Sequence, residues 1–590
     1  MMKNSFSGYA LLCCYAVMLF FGLQYYPKWT KSGSEATISW DVQGYYTYLP
    51  AFLIYKDYHQ CHFRDSLNNI YQSSPDYQHL FPQPNGGSVI KYPAGQALLM
   101  SPFFAIAHTY NKVSKKYPTD GYSYPYQLAI GLGYLFYAFI GLFLFRIILL
   151  KYFSDVVAGI TILCIGIGSN YLNYASVDQC MSHNPLFTLY SVLILMVIRY
   201  YQKPNISKAF GIGLITGLMT LIRPTEILSL LIVLLWGINN WKQLKDRIVF
   251  AWQQWQHIIV MIIGFSIFIS IQLAYWKTVS GHFVVYSYND QGFNWLHPYF
   301  EGFLTSVRCG WLRYAPIMLL TLLGFVPFIF KKQNTWAVVA FSFINLYIIC
   351  CWDIWWFGGR AMVQSYVVMS FALATLIEWC WSKRIFKYIL VVLLISTAYI
   401  NIWWTINAHG GKVAIMDVSK AYSKKTYGRW YVDDNINKLQ DNADWFEANP
   451  NNIDTLLNTT CYLPTDKNKK IIDGKTYCLL NNKIQFSSEI QVPTTDKKWI
   501  RTFVACKINQ KEWNYWSMTQ LIIRFYYQDK EVKSNMIRVQ RILNDNETKT
   551  ISFDAKTPSE KFDKIVFTVW NANGEKEIFL GNLKIIAFND

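Results

Sequence analysis

A lone carboxylate stands in a run rich in aromatic residues, Trp40-Asp41-Val42-Gln43-Gly44-Tyr45-Tyr46-Thr47-Tyr48-Leu49-Pro50. Partial desolvation among such side chains would raise its pKa toward the working range of a general base. Asp41 also fits the N-cap of an amphipathic interfacial helix, and residue type alone favours that role over the base. Lys91-Tyr92-Pro93-Ala94-Gly95 precedes an apolar segment. There Lys91 could meet an anionic headgroup, or the Pro and Gly could simply punctuate a loop. Arg223-Pro224-Thr225-Glu226 interrupts a long apolar stretch. Ionisable residues at membrane depth are costly, and a guanidinium there could grip a phosphate through its planar fork. The alternative is an internal Arg223–Glu226 pair at helical spacing.

Three further segments interleave polar and aromatic residues. The island 170–184 offers Asp178 and His183 as sugar or phosphate contacts, with a solvated turn as the plainer account. The loop 281–314 holds Asn289, Asp290, Trp295, His297, Arg308 and Arg313, and 352–360 holds Asp353 and Arg360. Aromatic faces stack on sugar rings, amides and carboxylates bond hydroxyls, and guanidinium groups hold phosphates. An interfacial aromatic belt would explain the rings but not the Asp, Asn and Arg between them.

The elements that must position these residues are membrane helices. The chain has 590 residues, 53% hydrophobic and 15% charged, well below the roughly 25% charge of soluble domains. A net charge of +18 is spread between apolar runs, which reads as topology signal and attraction to anionic lipid rather than as a nucleic-acid surface. The run after Lys3 ends in Gln24-Tyr25-Tyr26 without a small-residue cleavage site, so it is expected to remain as a first span. Of twelve cysteines, no pair has metal-ligand spacing with a His nearby. Cys461, Cys478 and Cys506 leave room for one disulfide in the polar tail.

Apolar runs of span length occur at 6–27, 126–150, 156–175, 184–201, 256–276, 314–330, 335–352, 361–381 and 385–404. The stretch 209–240 is too long for one span and is broken by Pro224. Basic clusters at Arg146/Lys151, Arg199/Lys203/Lys208, Lys242/Lys245/Arg247, Lys331/Lys332 and Lys383/Arg384/Lys387 fall on one side only under two conditions. The stretch 209–240 must be a hairpin with Arg223 at its outer tip, and Ala94–Tyr110 must not cross. The positive-inside rule then gives about eleven spans, with the N-terminus cytoplasmic and the C-terminus outside. The large first outer loop covers 28–125.

Beyond 404 the chain turns polar. Residues 405–470 read as a linker, and short alternating runs over 471–590 read as the strands of an all-β sandwich. Asn573-Gly574 supplies a hairpin signal between the last two. The architecture expected is a polytopic α-helical membrane protein with a C-terminal β-sandwich.

The order Ser39-Trp40-Asp41 with Tyr45-Tyr46, then Lys91-Tyr92-Pro93, then Leu221-Ile222-Arg223-Pro224-Thr225 resembles the GT-C class of integral-membrane glycosyltransferases, over roughly residues 1–404. These enzymes take sugars from polyprenyl-phosphate carriers, and the motif contexts are similar to bacterial relatives of protein and lipid mannosyltransferases. The resemblance implies inverting transfer to an acceptor hydroxyl on a glycan, lipid or protein, with Asp41 as base. It implies that Arg223, Arg308, Arg313, Arg360 and Lys91 meet the donor phosphate. Tyr45, Tyr46, Asp178, His183, Asn289, Asp290, Trp295, His297 and Asp353 are the candidate sugar and acceptor contacts. Many members carry paired acids or Asp-x-Asp in the first loop, whereas Trp40 and Gln43 stand here, so no obligatory metal is expected. The composition suggests a bacterial inner membrane with the sandwich in the periplasm, where it is similar in strand number and exposed aromatics such as Trp516 and Trp570 to carbohydrate-binding modules. A lipid-linked glycan flippase and a non-catalytic glycan-binding scaffold are the competing classes.

Overall fold

The computed structural model describes residues 5–74, 79–288, 291–331, 333–352, 358–415, 417–459, 469–472, 474–512, 515–572 and 576–590. Asn289, Asp290, Lys332, Asp353, Cys461 and the Asn573-Gly574 turn lie outside the described residues. The chain divides into two compact units, Met1–His409 and Gly410–Asp590.

The first unit is helical. Among the described residues six helices are long and apolar enough to cross a membrane: Phe6–Thr30, Tyr124–Leu150, His183–Gln202, Trp255–Ser280, Arg360–Trp381 and Arg384–Ala408. Five shorter apolar helices, Asp155–Gly166, Ile206–Ile222, Pro224–Leu235, Ile317–Lys331 and Thr335–Cys350, accompany them. His183–Gln202 and Arg360–Trp381 are 78% and 83% buried, against 17% for Trp255–Ser280 and Arg384–Ala408. The first pair therefore forms the heart of the bundle, and the second pair presents apolar side chains outward, as a helix facing lipid does.

The expected span 156–175 is broken. Its helix stops at Gly166, and a separate turn of helix covers Tyr171–Ser176. Between them Asn401 donates to the Gly168 carbonyl at 2.8 Å, and the Asn170 side chain joins Gly358 O and Tyr366 Oη. Asn401 thereby satisfies one carbonyl that the break releases, and Asn170 ties the break to the Gly358 turn and to Tyr366.

Arg223-Pro224 breaks 209–240 as the proline requires, and the chain reverses there. Arg223 meets His183 at the start of the His183–Gln202 helix, whereas Val233 accepts from Tyr201 at its far end, where Ile206–Ile222 also begins. The helix Gly95–Ser114 runs antiparallel to the first half of Tyr124–Leu150: Tyr134 bonds Gln96, Tyr137 bonds the Leu99 carbonyl, and Tyr126 bonds His108.

The basic clusters gather at one end of the bundle. Arg146 donates to Ser5 and Ser7, Lys331 sits over Phe153 and bonds Glu378, Arg247 stacks on Tyr201, Lys208 caps the Arg199 carbonyl, and Lys387 lies over Trp381. Asp41, His183, Arg223 and Arg360 sit at the opposite end.

The second unit contains two antiparallel sheets. One orders Thr548–Lys556, Trp499–Ile508, Ile578–Asn589, Lys475–Leu480 and Lys469–Ile472, with Asn451–Thr459 also paired to Ile578–Asn589. The other orders Ile490–Val492, Lys564–Asn571, Thr519–Tyr527 and Lys530–Arg538. Both contribute to a single apolar core that includes Val504, Ile585, Ile523 and Phe567, a sandwich-like arrangement.

The linker expected at 405–470 is instead largely folded. Strand Asn451–Thr459 falls within it, and the preceding residues dock by charge, through Asp441 with Arg538 and Asp444 with Lys533 at 2.7 Å. Polar composition concealed this because the few apolar residues that dock, such as Tyr422 and Leu439, are scattered among charged ones. Cys478 is disulfide-bonded, and Cys506 is free and buried.

Candidate active site

The short helix Trp40–Tyr46 presents Asp41. Its N-cap position is occupied by Ser39, whose hydroxyl donates to the Ala36 carbonyl, and no side chain caps the helix. The capping role considered for Asp41 is thus absent. Its carboxylate points elsewhere: Oδ2 accepts from the Arg360 guanidinium and Oδ1 from the Tyr92 hydroxyl, each at 2.7 Å. Trp40 holds a left-handed φ of +47° and is 41% exposed.

The expectation that burial raises Asp41 is corrected. Burial does push the carboxyl up, but the Arg360 guanidinium, the Tyr92 hydrogen bond, His79 and Lys91 outweigh it and hold Asp41 below the ordinary carboxylate range. Asp41 is therefore an ionised, paired carboxylate in this state. Nearby His79 is pushed down to about 4 by burial, with Arg64 and Lys91 adding to the effect and Asp41 opposing it.

The segment around Tyr92 is fixed through its backbone. Lys91 N–H donates to His79 O, Ser287 Oγ to Lys91 O, Tyr48 Oη to Tyr92 O, and Ala94 N–H to Gln272 Oε1. Lys91, almost fully buried, lies 5.3 Å from the Tyr288 ring centre and 5.7 Å from that of Tyr92. Tyr45 packs against Tyr92 with ring centres 4.5 Å apart. Both Tyr45 and Tyr288 lie within the fields of Asp41, Arg223 and Arg360, so these three charges share one neighbourhood.

Arg360 follows two left-handed glycines, Gly358 and Gly359. A Cβ on Gly358 would come within 2.8 Å of the Tyr314 side chain, and one on Gly359 equally close to Trp311. The turn that delivers the guanidinium is thus pinned against the segments Phe300–Thr305 and Trp311–Tyr314.

Arg223 is not paired with Glu226. Both Glu226 oxygens are engaged elsewhere, by Tyr190 at 2.6 Å and by the Gln364 amide at 2.9 Å. Gln364 Oε1 in turn faces His183 Nδ1 at 3.0 Å, and Arg223 approaches that nitrogen at 3.3 Å. Among the described residues no carboxylate lies within ion-pairing distance of Arg223.

The other candidates separate from this cluster. Asp178 pairs with Lys28 at 2.8 Å and His409 at 3.2 Å, and accepts from Asn173. Burial opposes its charge, yet Lys28 and His409 hold it well below the ordinary range. Tyr46 is fully buried with its hydroxyl on the Gly121 carbonyl. Trp295 and His297 are exposed, as is Arg308. Neither Arg308 nor Arg313 is among the leading charges acting on Asp41, Tyr45 or Tyr288.

Sequence reasoning assigned no role to Tyr92, His79 or Gln364. Gln364 had a usable signal, since it stands four residues after Arg360. Nothing local marks His79. Compared with known proteins, the chain matches no family model and no curated protein.

Proposed function

We propose that this chain is an integral-membrane glycosyltransferase of GT-C type that moves a sugar from a polyprenyl-phosphate carrier to an acceptor hydroxyl, with inversion. The observation that carries the reading is the charge balance around Asp41. Arg360 and Arg223 face one neighbourhood in which Asp41 is paired with Arg360, and among the described residues Arg223 pairs with no carboxylate. A half-buried guanidinium without a paired carboxylate favours an anion, and a phosphate fits its fork.

In the transfer step the acceptor oxygen attacks the anomeric carbon while its proton passes to Asp41. The bond from that carbon to the carrier phosphate breaks, and the electron pair leaves with the phosphate, whose charge Arg223 and Arg360 meet. Sugar hydroxyls are read by Tyr45, His183 and Tyr288.

The basic clusters at the far end of the bundle face the cytoplasm by the positive-inside rule, with about eleven spans. The site end then opens on the outer face of a bacterial inner membrane. The Cys478 disulfide supports an extracytoplasmic second unit, since such bonds persist in oxidising compartments.

Incubation of the purified protein with a radiolabelled polyprenyl-phosphate sugar and cell-envelope acceptors tests the reading. Covalent transfer of label is expected. Passage of label across a vesicle membrane without transfer would make the chain a transporter, and binding alone would make it a scaffold.

A further inference from the structure

Asp41 enters that reaction with both oxygens engaged, one by Tyr92 and one by Arg360, each at 2.7 Å. A carboxylate so bonded is a weak acceptor for a hydroxyl proton, because both hydrogen bonds favour its charged form. Two lone-pair sites stay open, but each bond lowers the proton affinity, so Asp41 becomes a stronger base when one of them yields. Tyr92 is poorly placed to do so, since its own carbonyl and the backbone on either side are tied to Tyr48, His79, Ser287 and Gln272.

Arg360 is placed to yield. Its backbone is pinned at Gly358-Gly359, but its side chain is about one-quarter exposed. It shares a neighbourhood with Arg223, which has no carboxylate partner among the described residues. A phosphate drawn to Arg223 therefore arrives beside a second guanidinium whose only ion pair among the described residues is Asp41. A phosphate and a carboxylate compete for the same planar donor face.

We propose that Arg360 changes partner when the polyprenyl phosphate binds, leaving Asp41 for the phosphate and so releasing Oδ2 to take the acceptor proton. This rests on the glycosyl-transfer reading above. Arg360 is then a positioning residue for Asp41 in the unloaded site and a phosphate ligand in the loaded one. Tyr92 keeps Oδ1 and with it the direction of the carboxylate. Donor binding primes the site for the acceptor, because Asp41 is the stronger base once the donor phosphate holds Arg360. No covalent bond changes in the exchange, and the proton moves only in the transfer step.

The exchange makes Asp41 a competitor of the phosphate, which gives an unusual expectation: removing the proposed base should tighten carrier binding. The test measures the affinity of the full-length protein in nanodiscs for a sugar-free polyprenyl monophosphate. Asp41→Asn, which no longer holds Arg360 by charge, should bind about tenfold more tightly than wild type. Arg360→Gln should bind more weakly than wild type, and adding Asp41→Asn to it should recover nothing. Tyr92→Phe, which leaves the Arg360 pair intact, should show no gain. Thermal unfolding of each variant confirms a folded protein, and the double variant ties any gain to Arg360 rather than to relaxed packing. Unchanged or weaker binding by Asp41→Asn, with wild type binding well, would overturn the exchange while leaving the transferase reading standing. Absence of carrier binding by wild type would remove that reading as well.

Discussion

Two half-buried aspartates lie toward the same end of the helical unit, and they are spent differently. Asp178 is saturated: Lys28, His409 and Asn173 surround it, and they tie the end of the first helix and the end of the last to one loop. Asp41 has one guanidinium and one phenol, with a second guanidinium nearby that pairs with no carboxylate among the described residues. Both carboxylates are held below their ordinary range, so a depressed pKa does not tell them apart. What separates them is leftover positive charge. A closed ion cluster holds a fold together, whereas an open one invites a ligand.

The contrast is tested most sharply by neutralising each carboxylate. Asp41→Asn should lower transfer by about 100- to 10,000-fold, the span of a lost general base, while expression and thermal unfolding stay near wild type. Asp178→Asn should do the reverse. Leaving half-buried Lys28 beside a neutral amide should cost about 1–3 kcal/mol of stability, and transfer should fall only with the folded fraction. Loss of folding by the first variant together with silence from the second would erase the distinction.

Arg223→Gln should raise the donor KM by about 10- to 100-fold, as expected for one charged hydrogen bond, with folding retained. A pH titration of stability should follow Asp178. Its folded pKa is depressed, so its contribution is fully present above the ordinary carboxylate value of about 4 and drains away as pH falls toward the lower folded value. The thermal-unfolding gap between wild type and Asp178→Asn should therefore narrow below about pH 4. The smallest effect is expected at His297, which is exposed and has no part in the cluster. His297→Ala should leave transfer within about twofold and stability within about 0.5 kcal/mol.

Much of this arrangement was legible in the sequence because it follows from local rules. Pro224 announces the break that places Arg223, and alternating runs such as Trp499–Ile508 announce strands. The partnership of Asp41 with Arg360 was not legible, since the two stand 319 positions apart and only helix packing brings them together. The interruption at Gly166–Asn170 was hidden for a similar reason. Its freed backbone is satisfied by Asn401, far away in sequence. Lys469–Ile472 and Asn451–Thr459 escaped because their exposed, polar faces do not alternate.

The paired left-handed glycines ahead of Arg360 carry a consequence for motion. With the main chain wedged against Tyr314 and Trp311, any swing of the guanidinium is a rotation about side-chain bonds that needs no moving lid. Arming the base would then ask for no rearrangement of the backbone. The larger movement of turnover would fall to the lipid, in the arrival of a loaded carrier or the departure of a spent one.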